Sequence, residues 1–284
     1  MAAHALLSAS SSKRWLSCTP SVKLEATLPD PPKSLNSFDY SAEGTLAHAL
    51  AEIKLRHFYN QIDSEEYKRE YEIIKIHQYY TTELEDYVDN YVLYVRSQIG
   101  ENDRPLFEQK VDYSDWAPDG FGTADVVILS EQSVHVIDLK FGKGIPVYAL
   151  DNPQLRLYAL GAWNKFKEDF PNIKELKYTI HQPRLDSISS DSTTLMKLLD
   201  WANYFVKPKA KKAWAGSGDF IPGEWCQWCK AKAQCRACQT YRHQARIAAV
   251  VFSIKKPALI RRCVRDGNRY QPTHANWGTD ERTY

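Results

Sequence analysis

The sequence predicts an α/β protein: a central mixed β-sheet flanked by helices, with a helical N-terminal part and a C-terminal cysteine cluster. Three observations predict it. Charged segments with apolar residues at three- and four-residue spacing fill residues 41–98, which is a helical period. From Phe107 the period shortens and β-branched residues dominate Asp125–Lys140, as strands require. After Asn152, helical and strand-like segments alternate, an order that puts helices on the faces of a sheet.

Taken in order, SASSSKRWLSCTPSVKLE reads as a short serine-capped helix followed by a turn at Thr19 and Pro20, and LPDPPKSLNS as a proline-rich connector. Ser41–Arg56 and Glu65 to about Gln98 read as helices, the second broken once. Phe107–Tyr113 is a strand, and the Asp125 hairpin follows. Asn152 caps a helix with Pro153 in its first turn. ELKYTIHQPR is another strand, and Ser192–Val206 another helix. The chain divides into an N-terminal helix and linker (1–40), a main domain that includes the cysteines (41–250), and an irregular tail (251–284), disordered or truncated.

With 284 residues the chain can bury a sizeable core. Its 37 basic and 35 acidic residues leave a formal charge of +2, so any nucleic-acid surface must be local. No apolar run nears the roughly eighteen residues of a membrane span, and AHALL is too short for a signal core. A soluble protein with no membrane partner is expected. Six cysteines are too few for a disulfide scaffold, and four of them fall between Cys226 and Cys238, which points to a metal or a cluster.

The hairpin carries the chemistry. With its turn centred on Glu131 and Gln132, Asp125 faces Asp138, and strand alternation puts Lys140 on the same face. Opposed side chains have Cβ atoms about 5 Å apart, where like charges destabilise a sheet. A divalent cation offsets that repulsion, and hard oxygen ligands suit Mg²⁺ or Mn²⁺. Apolar residues on both faces of the hairpin argue for a central pair rather than an edge with solvated aspartates. Gln154 and Tyr158, four apart on the next helix, share a face. Glu108 lies on the preceding strand and His48 on the front helix.

These residues, in this order, resemble the RecB-like branch of the PD-(D/E)XK nuclease superfamily: His48 in GTLAH, Asp125 in GTADVVIL, Asp138 and Lys140 in IDLKFGKG, Gln154 and Tyr158 in QLRLY. The resemblance implies a restriction-endonuclease-like core and a metal-dependent deoxyribonuclease. Its catalytic residues would be Asp125, Asp138 and Lys140. His48, Asp125 and Asp138 would hold Mg²⁺ or Mn²⁺, Glu108 would be auxiliary, and Gln154 with Tyr158 would position DNA. SSKRWLSC and the general layout are similar to a phage- and prophage-encoded family of unknown function over residues 1 to about 245. An exonuclease in phage recombination or replication is therefore expected, in the cytoplasm of a bacterial or phage-infected cell. Its partners would be single-stranded DNA or duplex ends and the phage recombination or replication proteins.

Spacing C-x₂-C-x₅-C with Cys238 following permits zinc bound by all four cysteines, although the loop between the pairs is short for that. The resemblance implies instead a [4Fe–4S] cluster held by Cys18, Cys226, Cys229 and Cys235, with Cys238 as substitute ligand and Cys263 unliganded. Such a cluster would staple the two ends of the chain. Lys207, Lys209, Lys211 and Lys212, near Trp214, Trp225 and Trp228, suit a single strand or equally a solvated linker with core tryptophans. Two further functions compete with the nuclease: a nucleic-acid-binding module that has lost cleavage, and a zinc-binding scaffold.

Overall fold

The Asp125 hairpin forms the middle of a five-stranded sheet. In the computed structural model, which describes residues 5–29 and 38–254, β1 (Arg104–Asp112), β2 (Phe121–Leu129), β3 (Ser133–Leu139), β4 (Glu175–Gln182) and β5 (Ser187–Thr194) lie in sequence order across the sheet. β3 and β4 run parallel, and the other neighbours are antiparallel. Val126 pairs with Ile137 and Leu129 with Val134, the register that a turn centred on Glu131 and Gln132 requires.

Both faces of the hairpin are buried, each in its own core. Val126, Ile128, Ile137 and Leu139 pack under α3 (Tyr40–Phe58), α4 (Ser64–Lys75) and α5 (Thr82–Ser97). Val127, Leu129, Val134 and Val136 pack with residues of α1 (Ser12–Ser17), α2 (Ser21–Ala26), α6 (Pro153–Phe166), α7 (Leu195–Trp201) and α8 (Lys207–Ala215). The result is a mixed sheet between two helical layers, the expected α/β class.

Local chemistry sets the helix starts. Asp39 accepts the amides of Ser41 and Ala42 and so opens α3, while Thr81 accepts that of Leu84 and opens α5 after the single expected break. Asn152 accepts the amides of Gln154 and Leu155, with Pro153 in the first turn of α6, as the sequence implies. Gly161 lets α6 lie close on β1: a Cβ there would stand 3.0 Å from Val111 Cβ and 3.1 Å from the Asp112 carbonyl oxygen.

Three expectations need correction. Ser192–Val206 is not one helix: SISSDSTT forms β5, followed by α7 and a π-helical turn over Ala202–Val206. β5 lies at the sheet edge and alternates between half-buried and exposed residues, so serine and threonine serve where a central strand needs apolar side chains. No serine side chain caps α1, because a 3₁₀ turn over Ala9–Ser11 precedes it and Ser8 and Ser11 bond each other at 2.8 Å. The turn at Thr19 and Pro20 is present as expected, and beyond it the chain enters a second short helix, α2, in which the Ser21 hydroxyl donates to the Cys18 carbonyl at 2.6 Å. The lysine-rich VKPKAKKAW is helix α8, with Ala210 and Ala213 buried and Lys207, Lys211 and Lys212 exposed. Trp214 and Trp228 are exposed, which removes the alternative of a linker with core tryptophans.

The described residues divide into two units between Gln239 and Thr240. The sheet, its helical layers and the sites below belong to the first. α9 (Arg236–Ile254) begins in the first unit and continues to the last described residue. Most of the proline-rich connector, Cys263 and the tail from 255 lie outside the described residues. Among those described, no helix is long and apolar enough to cross a membrane.

Candidate functional site

Three carboxylates stand in one row across three adjacent strands. Phe107 pairs with Val126 and Gln109 with Ala124, which sets Glu108 opposite Asp125. The hairpin register in turn sets Asp125 opposite Asp138, one step beyond the last hairpin pair. Glu108 takes a positive φ of 45°, a conformation costly for a residue with a Cβ and frequent at functional sites. The regular ladder is interrupted where the carboxylates meet. Asp125 Oδ2 accepts the Leu139 amide at 2.7 Å, so a side chain ties β2 to β3 at this point.

Other elements close the site. α3 brings His48, whose Nδ1 lies 3.3 Å from Asp125 Oδ1 and 3.9 Å from Glu108 Oε1. One donor atom from each of His48, Glu108 and Asp125 lies within 4.8 Å of the other two, the arrangement a cation needs. Asp138, 2% exposed, stands beside this trio. Its Oδ1 accepts Gln154 Nε2 at 3.0 Å, and its Oδ2 lies 2.7 Å from Lys140 Nζ. That second contact pairs the buried carboxylate with the lysine ammonium. Lys140 Nζ donates to Gln154 Oε1 at 3.2 Å, and Gln154 Nε2 reaches the Tyr158 hydroxyl at 3.3 Å. Gln154 and Tyr158 therefore act on one network, as their four-residue spacing implies. Gly122 admits the phenol: a Cβ there would stand 2.8 Å from Tyr158 Cε1.

His48 and Asp125 meet as expected, Glu108 joins them as a full member, and Asp138 is engaged by Lys140 and Gln154. Two neighbouring acids are pushed apart in acidity. Burial opposes ionisation of Asp125, but His48, Lys140 and the Leu139 amide outweigh it and hold its pKa low. Burial raises Asp138, and the Asp125 charge adds to it against Lys140. Burial and Asp125 push Glu108 up to about 7. Burial disfavours charge on His48, yet Asp125, Asp138 and Glu108 raise it to about 9. For Lys140 the cost of burial is likewise outweighed by Asp138 and Asp125, and the ammonium stays charged.

A second site lies at the joined ends of the unit. Cys18, Cys226, Cys229, Cys235 and Cys238 all line one pocket, although more than two hundred residues separate the first from the rest. Thr19 Oγ1 donates to the Ser217 carbonyl at 2.6 Å, and Lys13 pairs with Glu224 at 2.6 Å. Sequence reasoning missed Glu25. It is 8% exposed, accepts the Lys230 amide at 2.7 Å and pairs with Arg14 at 2.6 Å. No spacing rule links residues 25 and 230, so only the folded chain shows it. Burial raises the Cys18 thiol, to which Cys226 and Cys235 add, and raises Cys229 to about 11. Among the described residues, no three cysteine sulfurs lie within 4.8 Å of one another. Tetrahedral zinc with bonds of about 2.3 Å needs them about 3.8 Å apart.

A family model described as "Protein of unknown function (DUF2800)" matches residues 4–262, and the chain belongs to that family. The match runs past residue 245, where the resemblance read from the sequence ends. A solved structure described as "Crystal structure of SSO0001" is similar at 15% identity and a TM-score of 0.30, over 80% of this chain and 96% of that one. A likeness of that size carries no argument about fold or activity.

Proposed function

We propose that this member of a family of unknown function is a metal-dependent deoxyribonuclease of the PD-(D/E)XK type, acting on DNA ends in phage recombination or replication. The observation that supports it most is the row Glu108, Asp125, Asp138, closed by His48 on one side and Lys140 on the other. Carboxylate oxygens and one imidazole suit Mn²⁺ or Mg²⁺, and His48, Glu108 and Asp125 bring one such atom each within 4.8 Å of the others.

His48, Glu108 and Asp125 would hold the ion, with Asp138 next to it. When bound, a divalent cation lowers the pKa of its water and neutralises charge on the scissile phosphate. Lys140, fixed by Asp138 and Gln154, offers a preorganised positive charge for the oxygens of the phosphorane-like transition state. Tyr158 has its pKa raised by burial and by Asp138, so the phenol keeps its proton and serves as a donor. Gln154 holds Lys140 and Asp138 in one geometry. The cysteine pocket, which brings Cys18 to Cys226, Cys229 and Cys235 across the length of the unit, supports a [4Fe–4S] cluster on these four residues. A cluster there would fasten the N-terminal helices to the segment after α8.

End-labelled single- and double-stranded DNA, incubated with Mn²⁺ or Mg²⁺ and with an EDTA control, tests the proposal. Metal-dependent shortening of the label is expected. Intact DNA in every metal would leave a binding module on the same fold.

A further inference from the structure

A cleft of about 850 Å³, counting the space open to solvent, has walls that include Phe38, Tyr40, Tyr79, Tyr87 and Phe141. Phe38 and Tyr40, two residues apart, are 49% and 68% exposed. Their centroids are 4.9 Å apart, and Phe38 meets the edge of Tyr79 at another 4.9 Å. On the inner wall the Arg184 guanidinium lies 4.9 Å from the Phe141 ring centre and pairs with Glu43 at 2.8 Å.

The charges of the cleft decide what it suits. Lys143 and Arg184 are balanced by Glu43 and Glu83, so it is no phosphate clamp. Flat aromatic faces with the exposed Gln78 amide at the rim fit the face and edge of a nucleobase. Position joins the cleft to the chemistry. Phe141 directly follows Lys140, and Glu43 precedes His48 by five residues on α3, about 7.5 Å along the axis.

We propose that this cleft is a stacking subsite for unpaired bases of the DNA strand whose backbone occupies the carboxylate site, an inference that rests on the nuclease reading above. Duplex bases, stacked on each other, do not present their faces, so the subsite selects a single strand or a frayed end.

The test is binding in EDTA, where no strand is cut, of labelled oligothymidylate, an abasic strand of equal length, and a blunt duplex. The proteins are wild type and Phe38→Ala/Tyr40→Ala, whose exposed positions leave the core untouched. Wild type should prefer the thymidylate strand to the abasic one. The double variant should lose roughly tenfold or more on thymidylate, with little change on the abasic strand. Equal loss on both strands, or no loss on thymidylate, overturns the stacking subsite. If wild type meanwhile cuts DNA in Mn²⁺, only the subsite falls; if wild type neither binds nor cuts DNA, the nuclease reading falls with it.

Discussion

Glu25→Ala should destabilise the protein far more than its place in a six-residue helix suggests. Glu25 accepts two donors, Arg14 Nη2 at 2.6 Å and the Lys230 amide at 2.7 Å. The side chains of Arg14 and Glu25 are only 19% and 10% exposed. Leaving a fully buried charge without its partner costs about 3–5 kcal/mol. Partial exposure of Arg14 brings this to about 3 kcal/mol, and the orphaned Lys230 amide adds about 1 kcal/mol. A loss of about 4 kcal/mol follows, a large part of the stability of most domains. Arg14→Ala should cost about 3 kcal/mol, because it strands the carboxylate. The double variant strands neither charge and should cost about 2 kcal/mol less than the two single losses combined, the coupling energy of the pair. Urea unfolding followed by circular dichroism measures all three. Additive losses below about 1 kcal/mol each would refute the idea that this pair ties the N-terminal helices to the cysteine segment.

Gly161→Ala should cost about 1–3 kcal/mol by overpacking, since a methyl at 3.0 Å from Val111 and 3.1 Å from the Asp112 carbonyl must push α6 off β1; unchanged thermal unfolding would contradict the close contact. Gln154→Ala should slow cleavage less than Asp138→Ala, because it orients Lys140 without carrying charge, and equal rates for the Gln154 variant and wild type would make it structural. Cys18→Ser should lose bound iron while Cys238→Ser keeps it, read by iron analysis after anaerobic purification; the reverse pattern would make the ligand set local. Burial lowers His135 to about 4 from the ordinary histidine value of 6.5, so its neutral form stabilises the fold above pH 6.5 and the contribution is lost as pH falls toward 4. Between pH 7 and pH 5 this amounts to about 2 kcal/mol at most. Urea midpoints at the two pH values should differ less in His135→Gln than in wild type, and an identical difference would remove His135 as a cause.

The hairpin was legible because two physical rules fix it. Turn length sets the register, and apolar residues on both faces exclude an edge, so Asp125, Asp138 and Lys140 could be placed on one face from spacing alone. α6 was equally legible, since Asn152 and Pro153 are local signals. β5 was not, because an edge strand needs no apolar alternation and SISSDSTT offers only Ile188 among polar residues. The equal standing of Glu108 with His48 and Asp125 was also hidden. It depends on the pairing of β1 with β2, which no turn of short length fixes, and on a left-handed backbone at Glu108 that its residue type does not announce. Cys18 was nameable only through a family resemblance, and its neighbour Glu25 through nothing in the sequence, because contacts across two hundred residues leave no periodic trace.

The central claim is that the carboxylate row, with Lys140, forms a metal-dependent phosphodiesterase centre. Single-turnover cleavage of end-labelled single-stranded DNA in Mn²⁺ tests it most directly, with wild type, Asp138→Asn and Lys140→Ala measured side by side. Wild type should cut, and EDTA should stop it. Lys140→Ala should fall by roughly a hundredfold to a thousandfold, the usual cost of removing one preorganised stabilising charge or donor, and Asp138→Asn at least as far, with both variants folded by circular dichroism. Cleavage by either variant at the wild-type rate would contradict the account.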